Sequence, residues 1–367
     1  MRRRLERLAS HVVTGPSSTR TAARPSGSQT AAASTDGAAR FAWRETVKPL
    51  ENQAGWGVEL SGLDLSRCSR EEVLALGELA IEHGVVCVRN CTKTNVLHGV
   101  RQHEISCWLS PISEVFTGHQ THIEQEHPAV FRLSNDPEVG VPGAGGGWHH
   151  DSTHLDNIPP FAMYHLQQIP ERGGATWFAF ADPEELDVGE ITAWSRLQGF
   201  HPGGTGVGLH PVVQPSADAN PKPYLLPLGA GFTTHDERGA QIGKLTREES
   251  SAVLKRWSAL LNSPETPPIR HAWAPGDVVL TDNRRVAHRG PHKSEQEEII
   301  GTRILHRTIA LGAAEDGAWT PGSVTDLKPA LTRDRAELER AQQEDESVAS
   351  RLSRCENASN PYVVCDV

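Results

Sequence analysis

The sequence predicts a mostly β, α+β fold, a β-sandwich or jelly roll flanked by helices. Short apolar segments of strand length recur between about residues 47 and 311, separated by turns rich in glycine and proline. Helical segments are interspersed among them, which is typical of a decorated sandwich. No internal repeat is visible, and the composition changes at both ends. We therefore expect one domain over residues 41–312, with a tail before it and a charged extension, 313–367, after it.

Residues 1–40 differ in composition from the rest of the chain. They are rich in Arg, Ser, Thr, Ala and Gly, have only Glu6 and Asp36 as acidic residues, and lack the apolar core of a secretory signal. This composition is typical of an organelle transit peptide, and a disordered tail or a misplaced start codon remains an alternative. The expected location is cytoplasmic, or mitochondrial or plastid if the segment is a transit peptide. Within the extension, residues 330–353 favour a charged peripheral helix or a solvated tail.

Charge and hydropathy exclude several kinds of partner. The net charge of −10 argues against a nucleic-acid surface. No run approaches the roughly 18 apolar residues of a membrane span. The six cysteines form no C-x-x-C pair, so a reducing compartment is the simpler expectation. A small molecule is the expected partner, and the sequence allows a homo-oligomer.

The first helix of the domain has clear boundaries. Ser69 is a predicted N-cap, followed by acidic residues in the first turn and by apolar residues at helical spacing. Gly84 ends this helix, and residues 85–88 form a short buried strand. Residues 92–118 are predicted to be helical and connecting.

The remaining elements follow in order along the chain. Residues 181–200 and 245–261 are predicted helices, and the Gly/Pro-rich residues 201–232 are predicted to be a lid over one face. Further strands are predicted at 47–50, 55–60, 130–133, 161–166, 175–180, 276–281 and 302–311.

The stretch Gly145–Thr153 holds the strongest candidate for chemistry. Side chains alternate in an extended segment, so His149 and Asp151 point to one side and His150 to the other. An imidazole and a carboxylate on one side can bind a divalent metal, and a distant histidine would complete a 2-His-1-carboxylate triad. The alternative is an ordinary polar loop.

The third histidine is expected downstream, on another strand. His288 is the best candidate because it follows the strand at 278–281, although any one of 18 histidines could be a surface residue. Arg303 and Arg307 lie four positions apart in an otherwise apolar strand, which places both on one face. Two such arginines favour carboxylate binding, and the alternative is an ion pair with a core acid.

These motifs together resemble the taurine dioxygenase family of Fe(II)/2-oxoglutarate-dependent oxygenases, which also includes phenoxyacetate-herbicide dioxygenases. The resemblance spans about residues 45–312. The segments that carry it are Trp148–Thr153, Gly173–Thr176, Trp273–Asp277, Asp282–Arg284 and Arg303–Thr308, with weaker similarity at Gly55–Leu65 and Glu82–Val86.

The resemblance implies a double-stranded β-helix and a set of roles. His149, Asp151 and His288 would bind Fe(II), and Arg303 with Thr176 would hold the distal carboxylate of the cosubstrate 2-oxoglutarate. Arg307 would lie nearer the substrate, a small sulfonate or carboxylate. O2 would be consumed, a C–H bond hydroxylated, and succinate and CO2 released. Chlorinating relatives lack the carboxylate that Asp151 supplies, so its presence favours hydroxylation.

The sequence departs from the family pattern at three places. Ala175 replaces a frequent Asp, and His154 stands where an aromatic residue is usual, so His154 is a candidate substrate contact. Fifteen positions separate His288 from Arg303, a few more than usual. No single counterpart of the taurine-binding histidine stands out among His119, His122 and His127.

Two other functions are compatible with the same motifs. One is a carnitine-pathway hydroxylase of a trimethylammonium acid, although residues 1–45 contain no cysteine for the zinc-binding domain such enzymes carry. The other is a catalytically silent sensor or binding protein of the same fold, which the intact triad and the two arginines disfavour.

Overall fold

A computed structural model describes residues 41–50, 54–92, 96–118, 127–142, 147–203, 206–214, 224–290 and 299–313. The transit-like tail, residues 314–367, His119 and His122 lie outside these ranges. The described helices are α1 (Arg70–His83), α2 (Gly99–Leu109), α3 (Val188–Trp194) and α4 (Arg247–Leu261), with 3-10 turns at Ala42–Thr46 and Pro183–Glu185. None of these helices is long and apolar enough to cross a bilayer.

The strands fall into two consecutive groups along the chain. The first group is β1 (Lys48–Pro49), β2 (Val58–Leu60), β3 (Val85–Val88), β4 (Phe131–Ser134), β5 (Phe161–Gln168), β6 (Thr176–Ala179), β7 (Leu197–Gly203) and β8 (Gly206–Pro211). The second is β9 (Val213–Gln214), β10 (Tyr224–Leu225), β11 (Phe232–His235), β12 (Gln241–Lys244), β13 (Ile269–His271), β14 (Val278–Asp282), β15 (Ala287–Arg289) and β16 (Ile304–Ala310).

A large sheet and a small sheet form the sandwich. The large sheet has the order β1-β2-β3-β14-β5-β16-β4, and only the β2–β3 pair is parallel. The small sheet has the order β13-β6-β15. Most neighbours in the two sheets are far apart in sequence, as in a jelly roll. The predicted α+β jelly roll is confirmed.

Alternation along the central strands separates two cores. On β14, Val278 and Leu280 pack against α1 and α2, whereas Val279 faces the small sheet. On β3, Val86 packs on the helical side and Cys87 lies between the two sheets. This two-residue period is the one expected of a strand buried on both faces.

The predicted first helix is correct in position and in its ends. The Ser69 side chain accepts a hydrogen bond from the Glu72 N–H, and the Glu72 carboxylate accepts one from the Ser69 N–H. This reciprocal capping satisfies two backbone donors that the helix leaves open. Gly84 ends the helix at a positive φ of 77°, a conformation that favours glycine.

One prediction in the middle of the chain is wrong: the stretch 181–200 is not one helix but holds a 3-10 turn and the short α3 before β7 begins at Leu197. The stretch 201–232, predicted to be a lid over one face, contains strands: β7 and β8 pair as an antiparallel hairpin, and β11 and β12 extend their sheet. Alternate residues of β7 are buried, as expected of a strand. The sequence does not show this alternation clearly because glycines and a proline interrupt it.

Candidate active site

The backbone brings His149 and His288 side by side. Their segments form an antiparallel bridge, with His149 N–H donating to the His288 carbonyl at 3.1 Å and His288 N–H donating back at 2.8 Å. His288 lies in β15, the edge strand of the small sheet, so the bridge adds the 149 segment to that sheet. The two imidazole centroids are 4.2 Å apart.

Asp151 joins these two histidines. One carboxylate oxygen lies 4.0 Å from His149 Nε2, and the other lies 3.5 Å from His288 Nε2. One ligand atom from each residue can be chosen so that all lie within 4.8 Å of one another. The side chains are 16%, 3% and 9% exposed for His149, Asp151 and His288, so the group is nearly enclosed but His149 still reaches solvent.

His150 points away from this group. Its Nδ1 lies 2.8 Å from the Asn283 carbonyl, and its ring stacks near Trp257 of α4. Burial lowers the pKa of His150 to about 4, so the ring is neutral at physiological pH. The structure therefore separates the side chains of the motif as the alternation of an extended segment predicts.

Asn283 fixes the backbone of Asp151. Its Oδ1 accepts from the Asp151 N–H at 2.9 Å, and its Nδ2 donates to the Asp151 carbonyl at 3.0 Å. A second bond runs from Nδ2 to the Pro159 carbonyl at 3.0 Å. Asn283 is completely buried, so its amide acts as a rigid brace between the turn after β14 and the metal-site segment.

Two side chains from the large sheet reach the Asp151 carboxylate. The Tyr164 hydroxyl donates to Oδ2 at 2.7 Å and also lies 3.3 Å from His288 Nε2. Arg307 donates to Oδ1 and stacks on Phe131, with its guanidinium carbon 4.8 Å from the ring centroid. Tyr164 and Arg307 are directly paired across β5 and β16, which explains why both reach the same carboxylate.

The surroundings set the charge of each group. Burial alone would raise the pKa of Asp151, but Arg307, the two histidines and the Tyr164 hydroxyl outweigh it and lower that pKa. Burial lowers the pKa of His149 and of His288 despite the nearby carboxylate. The group is therefore an ionised carboxylate with two neutral imidazoles, the protonation states that metal ligands require.

The tautomer of His149 also fits a metal ligand. Its Nδ1 lies 2.9 Å from the Gly147 carbonyl, which can only accept, so Nδ1 carries the proton. The Nε2 lone pair is then directed toward Asp151 and His288. A carbonyl partner on the far nitrogen is the usual support of a metal-binding histidine. Two neutral imidazoles and a carboxylate are the donor set that suits Fe(II).

Arg303 lies beside Thr176, as the resemblance implies. Its Nε donates to the Gly174 carbonyl at 3.0 Å and one terminal nitrogen donates to Thr176 Oγ1 at 3.3 Å. The Trp273 indole N–H donates to the same Thr176 Oγ1 at 3.0 Å. Gly174 has a φ of +76°, and a Cβ there would lie 2.8 Å from Arg303 Cδ, so glycine makes room for the guanidinium.

Arg303 is half-buried, and the described residues do not neutralise its charge. No carboxylate of the described residues lies within salt-bridge distance of it, and burial lowers its pKa to about 10. The ion-pair alternative for Arg303 thus finds no acid in the described part of the chain. Arg307 does have one, Asp151, yet its Nε is buried without a hydrogen-bond partner.

The remaining candidates lie around this group or outside the described chain. His154 is half-buried, and its ring meets Phe116 edge-on at 5.7 Å. His127 stacks on His103 at 3.9 Å between centroids. Ala175 is buried between the sheets, and residues 291–298, where the longer His288–Arg303 spacing falls, lie outside the description.

Sequence reasoning missed Tyr164 and the bracing roles of Asn283 and Trp273. Tyr164 lies in the mostly apolar first half of β5, and only its hydroxyl distinguishes it from a packing residue. One signal was available: Tyr164 is one of only three tyrosines, and a buried tyrosine usually has a hydrogen-bond partner.

Comparisons with known proteins identify the family of the chain. The model of the family "Taurine catabolism dioxygenase TauD, TfdA family" matches residues 46–181 and 207–308. An alpha-ketoglutarate-dependent sulfonate dioxygenase of Saccharomyces cerevisiae is 24% identical over 275 residues, covering 63% of this chain and 60% of that protein. A (S)-phenoxypropionate/alpha-ketoglutarate-dioxygenase of Sphingobium herbicidovorans is 29% identical over 209 residues, 50% of this chain and 69% of that protein.

A solved structure shows the same fold. A taurine dioxygenase from Burkholderia xenovorans superposes with a TM-score of 0.56 at 26% sequence identity, covering 73% of this chain and 90% of that one. The family depends on Fe(II), 2-oxoglutarate (alpha-ketoglutarate) and O2. The resemblance predicted from the motifs is confirmed. Because the family model matches more than half of the sequence, the chain belongs to the TauD, TfdA family of dioxygenases.

Proposed function

We propose that this chain is an Fe(II)- and 2-oxoglutarate-dependent dioxygenase that hydroxylates a C–H bond of a small anionic substrate. Succinate and CO2 would be released. The observation that carries the proposal is the pairing of two sites: an ionised carboxylate between two neutral imidazoles, and the half-buried Arg303, which has no carboxylate partner among the described residues.

His149, Asp151 and His288 would hold the iron on one side. Bound Fe(II) would supply O2 activation coupled to the oxidative decarboxylation of 2-oxoglutarate, and three protein ligands leave positions for both. The chain's contribution is geometric: the backbone bridge fixes the two histidines, and Asn283 fixes the carboxylate. The enclosure of the three side chains limits water around the reacting atoms.

Arg303 and Thr176 would bind the distal carboxylate of 2-oxoglutarate. A guanidinium partly shielded from water favours an anionic partner, and its planar fork matches a carboxylate in a bidentate arrangement. Thr176 Oγ1 already accepts from Trp273 and Arg303, so its own proton remains for the ligand. The Trp273 bond thereby orients the threonine hydroxyl toward the cosubstrate.

Arg307 would face the anionic group of the substrate. It lies on the Asp151 side of the site, and its Nε is a buried donor that lacks a partner. The names of the two relatives indicate a sulfonate and an aryloxy acid as their substrates, both anions that a guanidinium binds. His154, near Phe116, would contribute to the substrate wall.

The test is succinate formation from 2-oxoglutarate with Fe(II) and O2, measured with and without candidate sulfonates and carboxylates. We expect slow succinate release without substrate and faster release, with a hydroxylated product, for one of these anions. A protein that binds iron but releases no succinate, even uncoupled from any substrate, would contradict the proposal and favour a silent binding protein.

The two arginines can be told apart by the same assay. Arg303→Ala should raise the KM for 2-oxoglutarate by orders of magnitude, because a buried charge pair is lost. Arg307→Ala should mainly raise the KM for the substrate. The reverse pattern would exchange the two roles.

A further inference from the structure

A second cluster of metal-binding side chains lies between the two sheets, apart from the triad. It consists of Cys87 on β3, His271 on β13 and Asp277 in the turn before β14. Their ligand atoms all lie within 4.8 Å of one another. The three residues are 0%, 3% and 1% exposed, so the cluster belongs to the interior of the sandwich.

Two polar atoms of this cluster lack a hydrogen-bond partner among the described residues. They are His271 Nε2 and Asp277 Oδ1, and both are buried. The other carboxylate oxygen, Asp277 Oδ2, accepts from Arg89 and from the Ala274 N–H at 2.9 Å. His271 Nε2 lies 3.8 Å from that oxygen, too far for a hydrogen bond. Buried polar atoms are usually satisfied, so two in one cluster point to a missing partner.

We propose that Cys87, His271 and Asp277 form a buried site for a zinc-type divalent cation, with three ligands from the protein and a fourth position for a non-protein ligand such as water. A thiolate, an imidazole and a carboxylate are all zinc ligands, and a cation between them would satisfy both open atoms through His271 Nε2 and Asp277 Oδ1. Sulfur distinguishes this site from the triad, whose ligands are only nitrogen and oxygen.

The charges around the cluster balance while the Cys87 thiol is protonated, so a cation would take the place of the thiol proton. Arg89 is shared between Asp277 and Glu59, with one terminal nitrogen 2.7 Å from Glu59, and Lys48 lies on the exposed side of Glu59 at 2.9 Å. With Cys87 as a thiolate the group would carry excess negative charge. Burial raises the pKa of the Cys87 thiol and lowers that of His271 to about 3, so cation binding would release the thiol proton and keep the imidazole neutral.

The second cluster is separated from the triad by an aromatic side chain. The Phe178 ring centroid lies 6.4 Å from that of His271 and 6.5 Å from that of His288. A cation at Cys87 would thus hold β3, β13 and β14 together without touching the reacting atoms. Because its ligands are buried, the cation would enter before the two sheets close on each other.

The test is the metal content of the full chain produced in zinc-supplemented medium, followed by zinc X-ray absorption. We expect a zinc that resists dialysis and has a sulfur neighbour at about 2.3 Å. The sulfur signal should persist in the double variant H149A/D151A, which lacks the triad. It should disappear in Cys87→Ser and in His271→Gln, and persist in the matched buried-thiol control Cys68→Ser.

Two results would overturn the proposal. One is a folded wild-type chain without sulfur-ligated zinc. The other is a sulfur signal that survives in Cys87→Ser or in His271→Gln. If Cys87→Ser fails to fold by circular dichroism, His271→Gln decides the question, since it leaves the thiol in place and removes only one ligand.

Discussion

Tyr164 shows how a single hydroxyl supports the candidate metal site. It donates to Asp151 Oδ2 and approaches His288, so it fixes two of the three ligands from the opposite sheet. Tyr164→Phe should keep the fold and weaken Mn(II) or Fe(II) binding by about 10–100-fold, the usual effect of losing such an outer partner. Anaerobic metal titration measures this, with Tyr224→Phe, a buried tyrosine of another core, as the control. Equal affinities for wild type and Tyr164→Phe would show that the hydroxyl has no such role.

Some residues of the candidate site could be predicted from the sequence, and others could not. His149 and Asp151 share a motif and His288 follows a strand, so spacing alone identified them as candidates. Tyr164 and Asn283 each contact Asp151, from which they are 13 or more positions away along the chain. A single sequence does not show which distant residues come into contact. An ion pair of Arg307 with a core acid was one of the two interpretations of the sequence, but Asp151 could not be predicted as the partner because the contact depends on the pairing of β5 with β16.

The β7–β8 hairpin is the element that closes over the segment carrying Asp151. A Cβ at Gly208 would lie 2.3 Å from the Thr153 carbonyl oxygen, whereas one at Gly206 would meet nothing closer than 3.9 Å. The His210 imidazole adds a bond at 2.8 Å between its Nε2 and the same carbonyl. Glycine at 208 is therefore what allows the hairpin to pack directly on this segment.

Gly208→Ala should destabilise the protein and lower its turnover, because the hairpin must move away from residues 153–155. Overpacking of this kind costs about 1–3 kcal/mol. Urea unfolding and the succinate assay measure the two effects. Gly206→Ala is the matched control on the same hairpin and should be neutral. Equal free energies of unfolding and equal turnover for Gly208→Ala and Gly206→Ala would show that the close contact at Gly208 does not affect stability or activity.

At the element scale, sequence patterns succeeded where local signals were strong. Ser69 and Glu72 mark the beginning of α1, and Gly84 marks its end. The short apolar runs at β3 and β14 indicate buried strands. The strands of the hairpin were not predicted, because glycine and proline are as frequent in β7 and β8 as in loops. Its strand character comes from pairing with β11, a contact between distant segments.

Buried neutral histidines make the stability of the whole molecule depend on pH. The pKa of His150 is lowered to about 4 by burial, and those of His201 and His288 lie well below 6.5, first because of burial. In the unfolded chain each takes up a proton near pH 6.5. Below that pH the unfolded state binds more protons than the folded state, so the free energy of unfolding must fall as the pH falls.

His201→Gln should remove one histidine's share of this dependence. The metal-free wild type should lose about 1.4 kcal/mol per pH unit for each such histidine between pH 6.5 and its folded pKa, and the variant should lose about that much less. Urea unfolding at pH 7, 6 and 5 measures the slope. His83→Gln, on a partly exposed histidine of α1, is the control. An unchanged slope in His201→Gln would mean that His201 is protonated in the folded protein.

For the molecule as a whole, the fold class and the family followed from the order and spacing of motifs. A jelly roll is built from short apolar strands separated by turns, and this pattern is visible along the sequence. What the sequence could not supply is the second cluster, since Cys87, His271 and Asp277 belong to three elements and no motif joins them. Only the stacking of the two sheets brings them together.

The most direct measurement of the central claim is anaerobic binding of 2-oxoglutarate to the Fe(II)-loaded protein, followed by the visible absorption of the iron–cosubstrate chelate. Wild type should develop the chromophore with one Fe(II) per chain. His149→Ala should not develop it, and Arg303→Ala should do so only at a much higher 2-oxoglutarate concentration. Absence of the chromophore in wild type, or its full development in His149→Ala, would contradict the assignment of this site.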